Sequence, residues 1–559
     1  MTGTDEALRR VQDRPPAPST PVRTAAALAF LLVSAPAPAG AQVELVDDLW
    51  VGPNSANPAG FEVFVDSLLY FAAEEPTHGR ELWRYDGGSV ELVGDVVPGS
   101  GSSGPWQPTT AGEALYFQAE HPAYGVEIWT FDGAEVRLVV DANPGPFGSG
   151  YGGSTGHGDE YVFGAYTPQV GWEAWAANPD GARLLADINP GSAGAEPNPF
   201  TVAGGVVYFT AEEPTHGREL WRYDGSTVAR VSDVNPGPGS GHSREPAAAA
   251  YNGRFYIDGY RPDVGAELWV SDGDSTWLLA DLAPGPASAS PAALLVHHGR
   301  LYFQACPPTT GCELWHTDGT SVTLALDLAP GPPSSYAYPL SSAGGALYVE
   351  ACDRDAPPPL TCRLLRMEGN DVEEVAQFGN EEGAAAPVVA YGDAVYFPAY
   401  DDATGWQLYT ADATGLHLVT GIPGRPDGYC SELLLYRGRL YFVGYSAALG
   451  CELYRIGPAG TSGEGTLPQA PPLDAIRHWS PNPAREAGVA EVVLREGGPV
   501  VLEVFDVLGR RVRAVDAGTL PAGTHRLRLD VTGLGPGAYL LRLRRAGGAP
   551  AARTFVVQR

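Results

Sequence analysis

The sequence of 559 residues contains no lysine, so all 35 of its basic residues are arginine, and it has only two methionines. Its 66 acidic residues give a net charge of −31. A chain this acidic repels nucleic acid and anionic membrane surfaces, which we exclude as partners. The charge itself has two interpretations: carboxylates that keep the surface hydrated, or a surface for cations or basic ligands.

Catalytic signatures are also lacking. The sequence shows no nucleophile elbow, no Ser/His/Asp order, no pair of histidines at metal-ligand spacing and no phosphate-binding loop. Adjacent carboxylates such as Glu74 and Glu75 carry little information in so acidic a chain, and the pair His297 and His298 occurs in one place only. We therefore favour a protein without catalytic activity.

The N-terminal region has the order of a secretory signal. Arg23 precedes the apolar run TAAALAFLLVSA, and the small residues Ala39 to Ala41 follow. The run is too short to remain as a membrane-spanning helix. We predict a signal peptide over residues 1–41 and a mature chain without a transmembrane segment. Because the residues before Val22 are superfluous to a signal, translation could instead start there.

A repeat of about 46 residues fills most of the chain. Glycine and proline number 71 and 51 and aromatics reach 10%, which favours short strands joined by turns. The motif ELWRYDG and its variants place one tryptophan in each of six copies: Trp83, Trp129, Trp175, Trp221, Trp269 and Trp315. Three degenerate copies carry Leu365, Tyr409 and Tyr454 instead, which makes nine copies.

Each copy predicts four antiparallel strands. In LYF and ELW, apolar side chains occupy adjacent positions and so point to both faces of a sheet, as they do when sheets stack on each other. Residues 43–49 match a fourth strand, and the ninth copy ends at Ile456 without one. We predict an all-β fold: a β-propeller over residues 42–457 with nine four-stranded blades, or eight if a degenerate copy forms none, closed by the N-terminal strand.

The motif ELW-x-x-DG, followed by D-x-x-P-G stretches such as DVVPG and DINPG, resembles the ELWxxDGT repeat family of bacterial exported proteins. The resemblance covers residues 43–456, and the last three copies depart from the motif. It implies a secreted or cell-surface location and no particular activity.

The repeated polar residues have structural explanations. Packing between blades accounts for the tryptophans, because Leu and Tyr replace them in later copies. We predict hydrogen-bonded structural carboxylates at Glu81, Glu127, Glu173, Glu219, Glu267, Glu313 and Glu452. Six aspartates that end fourth strands should bond the following turn: Asp95, Asp141, Asp187, Asp233, Asp281 and Asp327. Calcium in these acidic loops is the alternative, and no other cofactor is required.

Binding is expected on one face. The loops between second and third strands share an edge with the long Pro/Gly loops between copies, and we call this edge the long-loop face. Carboxylates, histidines and aromatics there suit a polar ligand or a metal, and a solvated acidic rim is the alternative. The candidates are Glu74, Glu75, His78, His121, Tyr124, Tyr166, Trp172, Glu212, Glu213, His216, Asp401, Asp402 and Trp406.

Six cysteines lie in the second half of the chain. Disulfides suit an exported protein, whereas zinc would need ligand spacings that are not present. Cys306 with Cys312 and Cys352 with Cys362 flank the same loop in the repeat frame. We therefore predict these two pairs, which leaves Cys430 with Cys451.

The C-terminal region differs in charge and pattern. Beyond a Gly/Pro/Ser-rich linker over 458–473, residues 474–559 show alternating apolar strands typical of a small β-sandwich. The region resembles the type A sorting domain of the type IX secretion system in four sequence motifs: SPNPA at Ser480, FDVLGRRV, LPAGTH and GPGAYLLRL. That resemblance implies export across the outer membrane by the type IX machinery.

We thus expect an exported, secreted or surface-located propeller that binds an unknown glycan, protein or metal. A secreted hydrolase or lyase acting on polysaccharide and a structural adhesion or surface-coat module are the alternatives.

Overall fold

The computed structural model describes residues 42–64, 68–150, 152–355, 361–379, 383–401, 405–412, 415–419, 429–457, 475–480, 487–494, 498–505, 510–521, 523–535, 537–545 and 551–557. The predicted signal peptide, the linker and Asp402 lie outside these ranges. No helix in the described part of the chain is long and apolar enough to cross a membrane. The chain divides into two compact units, residues 1–460 and 461–559.

The first unit holds nine four-stranded antiparallel sheets within its described residues, one for each copy of the repeat. Sheet 1 comprises β2 Ala59–Phe64, β3 Leu68–Glu75, β4 Gly79–Tyr85 and β5 Val90–Gly94. Sheet 2 comprises β6 Trp106–Ala111, β7 Ala114–His121, β8 Gly125–Phe131 and β9 Val136–Val140. Sheet 3 comprises β10 Ser154–His157, β11 Glu160–Thr167, β12 Gly171–Asn178 and β13 Gly181–Ala186.

Sheet 4 comprises β14 Asn198–Ala203, β15 Val206–Glu213, β16 Gly217–Tyr223 and β17 Val228–Arg230. Sheet 5 comprises β18 Ala248–Tyr251, β19 Arg254–Arg261, β20 Gly265–Ser271 and β21 Thr276–Ala280. Sheet 6 comprises β22 Ala292–His297, β23 Arg300–Ala305, β24 Glu313–Thr317 and β25 Val322–Leu326. Sheet 7 comprises β26 Tyr338–Ala343, β27 Ala346–Cys352, β28 Cys362–Glu368 and β29 Asp371–Phe378. Sheet 8 comprises β30 Val389–Tyr391, β31 Ala394–Asp401, β32 Gly405–Asp412 and β33 Gly415–Leu418. Sheet 9 comprises β34 Tyr429–Tyr436, β35 Arg439–Ser446 and β36 Gly450–Gly457, together with β1 Gln42–Leu45.

The sheets are covered on both faces, as the LYF pattern predicts. Leu69, Tyr70 and Phe71 are consecutive in β3, yet each has no exposed surface. Apolar clusters form between successive sheets, for example Val162 of sheet 3 with Phe209 of sheet 4. Because each sheet buries both of its faces against neighbours, the fold is a stack of sheets rather than a two-layer sandwich.

The Asp-Gly turns fix the sheets against each other. In sheet 5, the Asp272 carboxylate accepts a hydrogen bond from the amide of Ser275 at 2.9 Å. Gly273 adopts φ +95°, and a Cβ atom there would lie 2.8 Å from the hydroxyl of Tyr208 in sheet 4. Glycine at this turn therefore serves both the left-handed backbone and the contact with the preceding sheet.

The stack closes on itself. The first strands of successive sheets contact one another from β2 round to β34, and β34 contacts β2, so these strands are innermost. The N-terminal strand β1 pairs with β36, with Val43 opposite Ile456 and Leu45 opposite Tyr454. Sheet 9 also packs on sheet 1, where the hydroxyl of Tyr436 donates to the carbonyl of Tyr85 at 3.2 Å. The first unit is therefore a closed β-propeller, and the predicted all-β propeller fold is confirmed.

The second unit has two sheets of its own. One contains β37 Ala475–Ser480, β38 Ala487–Leu494 and β41 Gly523–Asp530, and the other contains β40 Arg511–Leu520, β39 Gly498–Phe505, β42 Gly537–Arg545 and β43 Ala551–Val557. Alternate residues of β38 and β39, including Val492 and Leu502, are fully buried in a core shared by the two sheets. This arrangement is the small β-sandwich that the alternating pattern predicts.

Candidate functional site

The glutamate of each ELW motif, which we call the repeat glutamate, is a structural hydrogen-bond acceptor. Glu81 has no exposed surface and accepts the amides of Val96 and Ser103 at 3.1 and 3.0 Å. The Ser103 hydroxyl also donates to it at 2.5 Å. One carboxylate thus ties the third strand to the loop that leads into the next sheet.

Burial raises the pKa of the repeat glutamates, for example those of Glu81 and Glu267. The pKa rises to about 7 for Glu173 and to about 8 for Glu452. The positions that correspond to Ser103 are alanines there, Ala195 and Ala56. In sheet 7, where Arg363 replaces the repeat glutamate, Glu350 of the adjacent strand accepts the amide of Ala384 at 2.8 Å instead. These carboxylates are surrounded by amide donors, which is unsuitable for a metal ligand.

The repeated tryptophans pack within the stack. Trp83 is 8% exposed, and its indole nitrogen donates to the carbonyl of Ala73 at 2.9 Å. Trp269 makes the same bond to Gly259 at 3.1 Å. The D-x-x-P-G aspartate is also held locally, since Asp95 accepts the amide of Gly99 at 3.3 Å. Calcium in these loops stays a prediction.

The three predicted disulfides are confirmed. Cys306 pairs with Cys312, Cys352 with Cys362, and Cys430 with Cys451, with Cα separations of 3.8, 4.0 and 6.2 Å. Among the described residues, one set of potential metal ligands comes together, Glu350 with Cys352 and Cys362, and both of its thiols are used in a disulfide.

Several predicted site residues share one cross-strand position at the long-loop end of the second and third strands. The pairs there differ from sheet to sheet: Glu74 opposite Arg80, Tyr166 opposite Trp172, Glu212 opposite Arg218, Cys352 opposite Cys362, and Tyr400 opposite Trp406. Oppositely charged pairs, aromatic pairs and a disulfide occupy this position in different sheets. It therefore fastens each loop in a different way, and its residues are spread round the ring.

The other predicted residues form local contacts in the turns. In the two identical AEEPTHG turns, Glu75 accepts the amide of His78 at 2.6 Å, and Glu213 pairs with the Nδ1 atom of His216 at 2.7 Å. The His121 ring stacks on Tyr124 with centroids 4.8 Å apart. These pairs occupy sheets 1, 2 and 4 and do not form a common cluster.

A cleft on the long-loop face brings different residues together. Its volume is about 710 Å³, and its lining comprises Gly104, Trp106, Gln107, Gly152, Gly153, Trp172, Glu196, Pro197, Asn198, Arg244 and Glu245. Trp172 is the one predicted site residue in this lining. The cleft lies where the innermost strands of sheets 2 to 5 begin, so it opens at the inner rim of the long-loop face.

Four of the lining residues occupy the same repeat position in four successive copies. Trp106, Gly152, Asn198 and Arg244 each lie 25 residues after the repeat glutamate of the preceding copy. All four positions lie at or just before the start of an innermost strand, and the side chains are an indole, a hydrogen atom, an amide and a guanidinium. Variation at a structurally fixed position is how a repeat protein obtains a specific site on a uniform scaffold.

Glycines create the space in the cleft. A Cβ atom at Gly153 would lie 2.4 Å from Oδ1 of Asn198, so a larger residue would displace this amide. The neighbouring Gly152 is held by the buried Gln118 of sheet 2, which donates to its carbonyl at 2.7 Å and accepts its amide at 3.0 Å. The backbone of Gly152 in the cleft lining is therefore held in place by the protein itself.

Charged groups on one wall are paired. The Glu196 carboxylate lies 3.1 Å from the Arg244 guanidinium and 3.6 Å from that of Arg218, which is only 4% exposed. Glu196 has φ +50°, a left-handed conformation that also occurs at the equivalent Ser290 and Tyr336. The conformation is thus a property of the repeat, while the carboxylate is particular to sheet 4.

Two tryptophans, Trp106 and Trp172, line the cleft. Trp106 is 53% exposed, whereas Trp83 and Trp129 are both 8% exposed. The half-buried Trp172 lies on the adjoining wall, with its indole against Gly150. Two indoles beside an amide, a guanidinium and carboxylates can stack on a ring and bond its hydroxyl groups.

Sequence reasoning missed Trp106, Asn198, Arg244 and Glu245. They lie at or just before the start of the first strand of a copy, in the segments GPWQP, EPNP and REP, where the first-strand pattern is weak. Aligning the copies on the repeat glutamate and looking for the most variable position would have found three of the four.

No family model matches the sequence, and no curated protein matches it. Solved structures are similar to the chain at low identity. The chain is similar to a puromycin hydrolase, with 17% identity over 61% of this chain and 58% of that chain and a TM-score of 0.31. It therefore spans little more than half the length of that enzyme.

Two further structures are similar in the same way. One is PorZ, a bacterial surface component of the type IX secretion system of Porphyromonas gingivalis, with 11% identity, 89% and 81% coverage of the two chains and a TM-score of 0.28. The other is the β-propeller domain of the Trilobed protease from Pyrococcus furiosus, with 10% identity, 65% and 99% coverage and a TM-score of 0.31. At these values no function is transferred.

Proposed function

We propose that this protein is an exported propeller that binds carbohydrate in the cleft on its long-loop face. The observation that carries the proposal is Trp106, an indole that is 53% exposed and lines a cleft of about 710 Å³. An exposed indole in a preformed cleft is a flat apolar surface with an N–H donor, which suits the face of a pyranose ring.

The remaining lining groups fit the hydroxyl groups of a sugar. Asn198 and Gln107 carry amides that can both donate and accept, and Glu245 can accept. Glu196 and Arg244 pair with each other, so the wall that they form is close to neutral. A neutral saccharide fits this combination better than an anionic one, which the charge of −31 would also repel.

Export is the second part of the proposal. Three disulfides fit an oxidising compartment outside the cytoplasm. The C-terminal unit has its own core, and its sequence resembles a type A sorting domain. We infer that residues 474–559 direct the propeller through the type IX machinery to the cell surface or the medium.

The binding proposal is tested with the mature chain on a glycan array, followed by calorimetry on the best neutral saccharides. Trp106→Ala should weaken binding at least about tenfold, because ring stacking and the buried apolar area are both lost. Tyr260→Ala is the matched control, since Tyr260 is 47% exposed and does not line the cleft. Absence of saccharide binding by the wild type would reject the proposal, as would equal affinity of the Trp106 variant.

The same experiment separates the alternative functions. Release of shorter saccharides from a bound chain would favour the hydrolase or lyase alternative. An adhesion or coat module would bind cells or copies of itself without responding to Trp106→Ala.

Export is tested in a host that has the type IX machinery. Removal of residues 474–559 should leave the propeller folded and retained in the periplasm. Equal export of the full-length and shortened chains would contradict the sorting role. Misfolding of the shortened chain would show instead that the C-terminal unit is needed for the propeller to fold.

A further inference from the structure

Phe147 is an exposed apolar side chain beside the cleft. It is 87% exposed, although burying a phenylalanine side chain would stabilise a protein. A single exposed apolar residue is ordinary on a protein surface, so exposure alone identifies nothing. Its meaning depends on whether the fold needs this ring, whether the loop is fixed, and what lies next to it.

The fold does not need an aromatic ring at this position. The equivalent residues of other copies, counted from the repeat glutamate, are Asn54, Gly101, Ala193, Gly239, Ala287 and Pro333. None of them is aromatic, yet all of these loops lead into the same kind of sheet. The ring of Phe147 is therefore an addition to the repeat rather than part of its packing.

The loop that carries Phe147 is fixed on both sides. The Asn143 side chain donates to the carbonyl of Gly148 at 2.5 Å, and the amide of Ser149 donates to the carbonyl of Val126 at 2.8 Å. A Cβ atom at Gly125 would lie 2.5 Å from the carbonyl carbon of Phe147, so the two backbones are in direct contact. The exposed ring is thus presented from an ordered backbone.

The same loop runs into the wall of the cleft. Three residues after Phe147, Gly150 lies under the indole of Trp172, whose Cζ2 atom would be 2.8 Å from a Cβ atom there. Gly152 and Gly153 then line the cleft itself. Three residues span at most about 10 Å, so the ring of Phe147 lies outside the cleft but close to its edge.

We propose that Phe147 forms an outer subsite, so that the cleft and its rim together hold a neutral polysaccharide chain rather than a single sugar or disaccharide. This inference rests on the proposed carbohydrate binding. One pyranose unit occupies the platform of Trp106, and the chain continues past Trp172. A later unit stacks on Phe147, which lies outside the lining of the cleft that holds the first units.

The test compares two chain lengths. Cello-, xylo- and manno-oligosaccharides of two and six units are titrated by calorimetry against the mature chain and its variants. Phe147→Ala should weaken binding of a hexasaccharide about fivefold to tenfold, the range expected for one lost stacking contact, and should leave the disaccharide unchanged. Phe147→Tyr keeps the flat ring and should restore hexasaccharide affinity.

Controls make the two proposals separately testable. Val51→Ala removes a side chain that is 82% exposed and lies outside the cleft lining, and it should change neither affinity. Hexasaccharide binding that is unaffected by Phe147→Ala, or equal weakening at both lengths, overturns the outer subsite alone. Failure of the wild type to bind any of the six probes overturns the carbohydrate proposal and the subsite with it. Melting curves of all variants should coincide, because an exposed ring contributes little to stability.

Discussion

The substitution Glu452→Gln should make the propeller more stable at alkaline pH. Glu452 has no exposed surface and accepts the amide of Ala56 at 3.1 Å, which joins sheet 9 to the segment that follows the closing strand. Burial raises its pKa from 4.5 to about 8, and the nearby charge of Asp48 acts in the same direction. The folded protein therefore prefers the protonated carboxyl.

The sign and size of the effect follow from linkage. A carboxyl with a raised folded-state pKa contributes stability that is complete below its unfolded value of 4.5 and is lost as the pH rises through about 8. The full shift corresponds to an upper bound of about 5 kcal/mol, and relaxation of the structure around the buried charge reduces our expectation to about 3 kcal/mol. Glutamine cannot ionise and still offers an acceptor to Ala56, so the variant avoids this loss.

The assay is thermal unfolding of the mature chain and its variant between pH 4 and pH 9. For a unit of this size, 3 kcal/mol corresponds to roughly 3 °C, so the variant should melt about 3 °C higher at pH 9 and level with the wild type at pH 4. The exposed Glu120→Gln serves as control and should follow the wild type throughout. A variant that melts lower than the wild type at pH 9 would show that the anion is the stabilising form, which would refute the reasoning.

Three further outcomes are expected. Mutation of Cys430 and Cys451 to Ser should lower the free energy of unfolding by about 3 kcal/mol. The loss should exceed that for either other disulfide, because this pair closes a loop of 21 residues and the other two close loops of 6 and 10. The melting temperatures of the three double mutants check this order. Gly273→Ala should destabilise by about 1–3 kcal/mol in denaturant titrations, and Tyr208→Phe should recover part of this by removing the hydroxyl that lies 2.8 Å from the new Cβ atom. Deletion of residues 42–49 should leave β36 with an unpaired edge and cause aggregation visible by light scattering; unchanged melting and solubility would contradict the closed ring.

The repeat architecture was predictable because its causes are local and recur in every copy. Adjacent apolar residues in LYF require sheets covered on both faces, and the Asp-Gly turns require tight hairpins. The disulfides followed from the same frame, since Cys352 and Cys362 are directly opposite across two strands. The closing strand was predictable because residues 43–49 repeat a fourth-strand pattern that the ninth copy lacks.

The cleft could not be predicted in the same way. The chemistry of their side chains indicates the candidates on the long-loop face, and most of them, such as Glu75 with His78 and His121 with Tyr124, are spread round the ring in local pairs. Trp172 alone reaches the cleft. The lining residues Trp106, Gly152, Asn198 and Arg244 are about 46 residues apart in sequence. Nothing in the local sequence indicates that they line the same cleft.

The sequence by itself determined the strands, the turns, the stacking of sheets and the ends that close the ring, because periodicity, glycine conformation and burial act over a few residues at a time. Only the tertiary structure decided which copies lie beside each other at an open position and which side chains meet there. Trp106, Asn198 and Arg244 become one site because the stack brings the starts of consecutive innermost strands side by side, a proximity that depends on the curvature of the ring and not on any single repeat.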